Sequence, residues 1–240
     1  MGFPEPFTFG IRAQRFLRTR MRRYDIVHDN QSLSYGIWSI AKKIPTVATI
    51  HHPITVDRDI AVRSVRPFWK KLKHLRWFSF IGMQKRVSRT LRRIITVSEC
   101  AREDIARDFR IPRERFAVVP NGINTKLFYP IPEIQREPGR IIVTNSSDVP
   151  LKGLYYLLHA VAEIAKKRTI RLVVVGTPKK KGGISRLIRR LGIGDLIVFT
   201  GRISDAEFVR QYARAAMAVV SSVYEGSACR RARQWPVACR

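Results

Sequence analysis

The 240-residue chain sets 46 Lys and Arg against 18 Asp and Glu, for a net charge of +28, with 45% apolar residues. A chain of this length and composition holds one large domain or two small ones and can bury a core. Its charge points to anionic partners: nucleic acid, acidic lipid or phosphorylated substrates. No apolar run approaches the roughly 20 residues that span a bilayer. Three Cys, two of them at positions 229 and 239, exclude a disulfide framework, and Cys100 reads as a half-buried helix residue. The opening Met-Gly-Phe-Pro-Glu-Pro leads into no apolar segment and does not read as a secretory leader. The expected location is cytoplasmic, with peripheral contact at the inner face of the membrane as the one membrane role.

In chain order, Asp25-Ile-Val-His28 is a short strand, and Pro45 to Ile50 a second, after a helical stretch ending at Lys42-Lys43. Residues 67–93 are basic and aromatic. Phe68, Leu72, Leu75 and Phe78 make one helical face and Lys residues line the rest. This composition suits an anionic membrane interface or an ordinary core-facing helix. It suits nucleic acid less, because no nucleic-acid motif accompanies it. Arg93 to Val97 is the third strand. Ser98 is an N-cap with Glu99 in the first turn, and Ala101, Ile105 and Phe109 form the apolar face of the helix that follows. Phe116 to Val119 is the fourth strand, stopped by Pro120-Asn121-Gly122.

Residues 128–139, with Pro130, Pro132, Pro138 and Gly139, read as a linker. Beyond it, Arg140 to Val143, Ile170 to Val175, Leu196 to Phe199 and Ala218 to Val220 are strands. Leu154, Leu157, Leu158, Val161 and Ile164 mark one helix, and Ile184, Leu187, Ile188 and Leu191 the next. Ser204-Asp-Ala-Glu207 opens a third with a capping box. This alternation predicts an α/β protein of two parallel sheets with right-handed crossovers. Ligands in such sheets bind beyond the carboxyl ends of the strands. Those ends here include His51-His52, Asn121-Gly122, Asn145 to Lys152, Gly201-Arg202 and Ser221 to Glu225. Lys152 beside a helix start offers a point charge and open backbone N–H groups to a diphosphate, although a single Lys there is more often a solvated side chain.

Several of these features, in this order, resemble the retaining family 4 glycosyltransferases. They are Pro120-Asn121-Gly122-Ile123-Asn124 with Leu127-Phe128, Lys152-Gly153-Leu154, and the strand running into Tyr224-Glu225-Gly226. The resemblance covers about Tyr24 to Gly226. It implies the GT-B architecture of two Rossmann-like domains, both incomplete here: a partial acceptor-side domain over 1–134 and a partial nucleotide-sugar-binding domain over 135–226. It also implies transfer of a hexose from a nucleotide-sugar donor to a lipid-linked or saccharide acceptor with retention. Neither a metal nor any other cofactor is implied. His52 and Glu225 would be catalytic. Asn121, Gly122, Lys152, Gly153, Arg202 and Glu225 would bind the donor. His52 reads equally as a satisfied strand-end residue. Asn124 stands where the family has Asp. Ser147 stands where family members often carry a phosphate-binding Arg. Asp57-Arg58-Asp59 matches a metal-binding string of the other main glycosyltransferase fold. It opens a basic helical stretch rather than ending a strand, and is read as coincidence.

The family pattern continues after the first Glu as F-G-L-P-x-x-E-A-M-A-C-G-x-P, whereas this chain continues Ser227-Ala-Cys-Arg-Arg-Ala-Arg-Gln-Trp-Pro-Val-Ala-Cys-Arg240. One permitted codon string for that tail, with a single T inserted after the first base of the Ser227 codon, translates as E-G-F-G-L-P-A-G-E-A-M-A-C-G-V-P from Glu225. Residues 227–240 are therefore read as an out-of-frame tail. The chain as given is expected to be a fragment with little or no activity. The competing expectation is a basic, non-enzymatic protein that docks on nucleic acid or an anionic membrane.

Overall fold

The computed structural model describes residues 4–145, 149–179 and 182–223. Every strand pair among them is parallel, as alternating strands and helices require. The chain divides into one unit up to Asn121 and a second from Gly122. Composition alone places the boundary at 134. The Pro-rich stretch instead packs on the second unit, where Phe128 meets Phe208 edge to face with centroids 5.9 Å apart.

The first unit runs α1 (Glu5–Arg18), β1 (Val27–Asn30), α2 (Tyr35–Ala41), β2 (Thr46–Thr49), α3 (Ile54–Arg63), α4 (Phe68–Trp77), α5 (Ile81–Ser88), β3 (Ile94–Thr96), α6 (Glu99–Phe109) and β4 (Phe116–Val118). Its sheet order is β1-β2-β3-β4. Strand β1 begins two residues later than its apolar pair suggests, because its register is set by pairing Val27 to Asn30 against Thr46 to Thr49. The core gathers Ala48, Ile50, Phe80, Ile94, Ile105 and Phe109. Ser98 caps α6 as expected, its Oγ accepting from the Ala101 N–H at 3.0 Å. The packed face of helix α1 is obscured in the sequence because Phe9, Ile11 and Phe16 are exposed, and the sequence pattern did not reveal it. It packs through Phe7, Ala13 and Leu17 and also by close backbone contact. A Cβ on Gly36 of α2 would lie 1.9 Å from the Gly10 carbonyl oxygen, so only glycine lets the helices approach this closely. The basic stretch holds two helices, α4, which carries the helical face at 68, 72 and 75, and α5, separated near the fully buried Phe80. Of the stripe 68, 72, 75 and 78, only Phe78 packs against the core.

The second unit runs β5 (Glu137–Thr144), α7 (Leu154–Ala165), β6 (Arg171–Val175), α8 (Gly183–Leu191), β7 (Ile197–Phe199), α9 (Asp205–Arg214) and β8 (Ala215–Ala218). Leu154, Leu158 and Val161 of α7 pack with Ile184 and Leu187 of α8 over Leu172 and Val174 of β6. Ser204 caps α9 by accepting from the Glu207 N–H at 3.2 Å. The Glu207 carboxylate turns forward rather than back, accepting from Gln211 Nε2 at 2.6 Å and Arg210 Nε at 2.9 Å. The last strand lies earlier than the apolar run Ala218 to Val220. Helix α9 passes directly into β8, which pairs Met217 and Ala218 with Ile141 and Ile142 of β5. The resulting order is β7-β6-β5-β8.

Candidate functional site

The strand order of the second unit fixes where a ligand would sit. From β5 the chain moves outward on one side through β6 and β7, then returns to place β8 on the other side of β5. Strand order reverses between β5 and β8. In open α/β sheets this reversal is where ligands bind, beyond the carboxyl ends of the strands. Two segments meet at this switch point: Asn145 with residues 149–153, and residues 219–223 after β8.

Their junction is built around one carbonyl. The Lys152 carbonyl accepts from Asn145 Nδ2 at 3.0 Å and from Ser221 Oγ at 2.9 Å, and the Val223 N–H donates to the Leu151 carbonyl at 2.8 Å. Gly153 is the N-cap of α7 with φ +65°, and a Cβ there would lie 1.9 Å from the Ser221 carbonyl oxygen. Glycine is required at 153 both by its left-handed backbone and by the close passage of Ser221. Behind it, Gly176 passes the Asn145 carbonyl so closely that a Cβ would sit 2.2 Å from it. Asn145 is buried, and its Oδ1 has no hydrogen-bond partner among the described residues. A buried acceptor left open costs about 1–3 kcal/mol, and such atoms mark places where a ligand or ordered water completes the bonding. The first-turn N–H groups of α7 and the positive end of its dipole stand at the same place.

The predicted residues distribute around this junction unevenly. Lys152 and Gly153 lie in it. Glu225 and Ser147 lie outside the described residues, as does the 227–240 tail. Arg202 is exposed and follows β7, two strands from β5, roughly 10 Å across the sheet. Asn121 and Gly122 are exposed where the two units join, and a Cβ on Gly122 would meet open space. The sequence places Asn145 and Ser221 at strand ends without assigning them a role. The signal available was an Asn two residues after the apolar run Ile141 to Val143.

In the first unit, the carboxyl edge joins β1 to β2. The His51 N–H donates to Gln31 Oε1 at 2.9 Å, and His51 Nε2 lies 2.9 Å from Asn30 Oδ1. Gln31 and Leu33 have φ of 61° and 46°. This uncommon left-handed backbone is clamped by Asp29, which accepts from Ser32 Oγ and the Leu33 N–H, and by Gln84 Nε2, which donates to the Gln31 carbonyl. A non-glycine backbone held in this region marks a segment whose shape is over-determined by its surroundings. His52 Nε2 lies 2.7 Å from Asp57 Oδ2, so the first acid of the Asp57-Arg58-Asp59 string partners a histidine. Asp59 pairs with Arg58. No cluster of three or more His, Cys, Asp or Glu suited to a metal occurs among the described residues.

A cavity of about 630 Å³ lies elsewhere in the second unit, between the Pro-rich stretch and α9, lined by Ile123, Phe128, Ile134, Phe208 and Tyr212. Of the predicted residues only Gly122 touches it, and its apolar walls do not suit a diphosphate.

The fold defines a protein of two Rossmann-like α/β units, the second with its switch point between β5 and β8. Family models agree. Glycosyltransferase Family 4 matches residues 1–127, and Glycosyl transferases group 1 matches residues 139–230. The chain is 45% identical over 226 residues to the MMP alpha-(1->4)-mannosyltransferase of Mycolicibacterium hassiacum, a match covering 94% of this chain and 54% of that protein. In fold it is similar to sucrose-phosphate synthase from Thermosynechococcus elongatus, with TM-score 0.66, 21% identity, and 91% of this chain and 55% of that one covered. It is also similar to Anabaena Alr3699/HepE, solved in complex with UDP-glucose, with TM-score 0.61, 14% identity, and coverage of 89% and 56%. The chain belongs to glycosyltransferase family 4, and its two units are of the GT-B fold. It spans about half the length of the curated relatives it matches.

Proposed function

We propose that this chain is the portion of a retaining glycosyltransferase that holds the diphosphate of a nucleotide-sugar donor. The observation that carries this reading is the junction at the β5/β8 switch point. There Asn145 and Ser221 hold the Lys152 carbonyl, one residue before Gly153, the N-cap of α7. Sugar transfer develops negative charge on the departing diphosphate. A fixed cation and aligned amide dipoles stabilise that charge without reorganising as it forms. Lys152 and Gly153 take this role, with Arg202 as a more distant cation. Glu225, which follows Val223 by two residues, addresses the donor-sugar hydroxyls. Asn121 and Gly122 contribute donor contacts from the chain between the units. His52, oriented by Asp57 at 2.7 Å, is the catalytic histidine. The chemistry needs no metal.

The transferred sugar is a hexose. Mannose is the first choice, since it is the sugar in the name of the Mycolicibacterium relative. The acceptor is a saccharide or a lipid-linked saccharide. The 240-residue chain turns over little or not at all by itself, because it spans about half the length of the curated relatives it matches. The protein acts in the cytoplasm.

Titration calorimetry with GDP and UDP, on this chain and on a version with the Ser227 frame restored and extended, tests the reading. A nucleoside diphosphate is expected to bind, and Lys152→Gln to weaken it by about 10- to 100-fold, the range for one charge-assisted contact. Turnover of nucleotide-mannose is expected only in the extended version. Absence of binding in both versions sinks the donor-site assignment, and robust turnover by the 240-residue chain sinks the inactivity.

A further inference from the structure

Helix α4 faces the wrong way for a core helix. Phe68, Trp69, Leu72 and Leu75 are 76%, 70%, 55% and 48% exposed, and no residue of the helix is buried. Its neighbour is α3. The half-buried positions of the α4 segment are Lys71, His74 and Phe78, spaced as one helical face. The packed side therefore carries Lys and His, and the apolar stripe looks outward, the reverse of an ordinary surface helix. Around the stripe, Arg63, Arg66, Lys70, Lys73 and Arg76 are exposed. Between Ile60 and Ser98 the chain holds eleven Lys and Arg and no Asp or Glu.

We propose that α4 is a membrane-interface helix that docks the protein on bilayers rich in acidic phospholipid. Phe68, Trp69, Leu72 and Leu75 enter the boundary between headgroups and acyl chains, and Lys70, Lys73 and Arg76 meet the lipid phosphates. An apolar stripe bordered by cations, with Trp at the edge, is the arrangement that binds such a surface. No helix among the described residues is long and apolar enough to cross a membrane, so α4 lies on the bilayer. The charge argues against a second copy as the occupant, since two such faces would bring their cations together. The aromatic stripe argues against a nucleic-acid groove, where cations and hydrogen-bonding groups would stand outermost. The proposal is independent of sugar transfer, because an inactive chain docks equally well.

Vesicle flotation of the 240-residue chain tests it, with phosphatidylcholine alone and with about one third phosphatidylglycerol, at about 0.1 M and about 0.5 M salt. Binding is expected to the acidic vesicles only, and to weaken with salt. Lys70→Gln with Lys73→Gln is expected to lower partitioning about 30-fold, from roughly fivefold per cation. Trp69→Ser with Leu72→Ser is expected to lower it at least tenfold. These side chains are exposed, so circular dichroism should be unchanged. As a second measurement that needs no polar variant, brominated lipid quenches the tryptophan fluorescence of the parent. Trp69→Phe removes most of that quenching while still floating. No binding, or equal binding to neutral vesicles, overturns the proposal. It is also overturned if the Trp69/Leu72 variant binds undiminished and duplex DNA competes with vesicles for both proteins, because the surface is then a general polyanion site.

Discussion

Gly153→Ala separates two reasons for a glycine at the donor-side junction. The first is backbone: an L-residue at φ +65° loses roughly 1–2 kcal/mol. The second is space: the new Cβ would lie 1.9 Å from the Ser221 carbonyl oxygen, so the start of α7 and the exit of β8 must part by roughly 1 Å or more, an overpacking strain of about 1–3 kcal/mol. Together they predict a loss of about 2–5 kcal/mol. Two other glycines isolate the terms. Gly192 ends α8 with φ +66° but has nothing within 4 Å of its would-be Cβ, so Gly192→Ala should lose only the backbone share. Gly122 has neither constraint, and Gly122→Ala should stay within about 0.5 kcal/mol of the parent. Native-state hydrogen exchange of the β5 and β6 amides reads the stability of the second unit directly. Gly153→Ala should also weaken nucleoside diphosphate binding more than tenfold, since it displaces the Lys152 loop, while Gly192→Ala leaves binding unchanged. If Gly153→Ala and Gly192→Ala prove equal in both measurements, the contact with Ser221 contributes nothing and the junction argument fails.

In the first unit, Gly36→Ala drives a methyl group into the Gly10 carbonyl. It should destabilise the α1–α2 pair by at least about 2 kcal/mol, seen as faster hydrogen exchange in α1 and altered fluorescence of Trp38, which lies on α2. In the second unit, Glu207 is held below the usual carboxylate range, first by the hydrogen bond from Gln211 and then by that from Arg210. A lowered folded-state value means the group stabilises the fold above the unfolded carboxylate pKa and loses that contribution as pH falls through the folded one. Thermal melts should therefore separate the parent from Glu207→Gln at neutral pH and converge below about pH 4. A separation that persists or grows in acid refutes the assignment.

The strands and caps were legible because their signals are local. Ser98 and Ser204 each precede a helix by one residue and carry an oxygen that can only reach forward to its first turn. Strand β8 was misplaced because Ala215-Ala-Met-Ala218 reads by propensity as the end of a helix. Parallel pairing with β5 overrides that preference, a decision made by residues more than seventy positions earlier in the chain. Helix α4 shows the complementary limit. Its period reveals the stripe at 68, 72 and 75, but a period has no sign: which side meets α3 depends on a neighbour that the pattern does not contain.

The site divides along the same line. Lys152-Gly153 was legible as a short string with a plausible chemistry, yet its glycine is explained only by Ser221, and the bond from Ser221 Oγ to the Lys152 carbonyl spans 69 positions. Nothing local in Val220-Ser221-Ser222 distinguishes the serine that makes that bond from its neighbour. What joins the segments is the reversal of strand order at β5, which places the first and last strands of the unit side by side and leaves their exits to close on one carbonyl. The open Oδ1 of Asn145 follows from the same geometry. Its amide nitrogen is used in holding the Lys152 carbonyl, and its oxygen has no hydrogen-bond partner among the described residues. Asn145→Ala should weaken the junction through the Lys152 contact, whereas Asn145→Asp keeps an acceptor there and removes the donor. Nucleoside diphosphate binding kept by Asn145→Asp and lost in Asn145→Ala shows that the oxygen is the half required, and loss in both shows that the donor is needed.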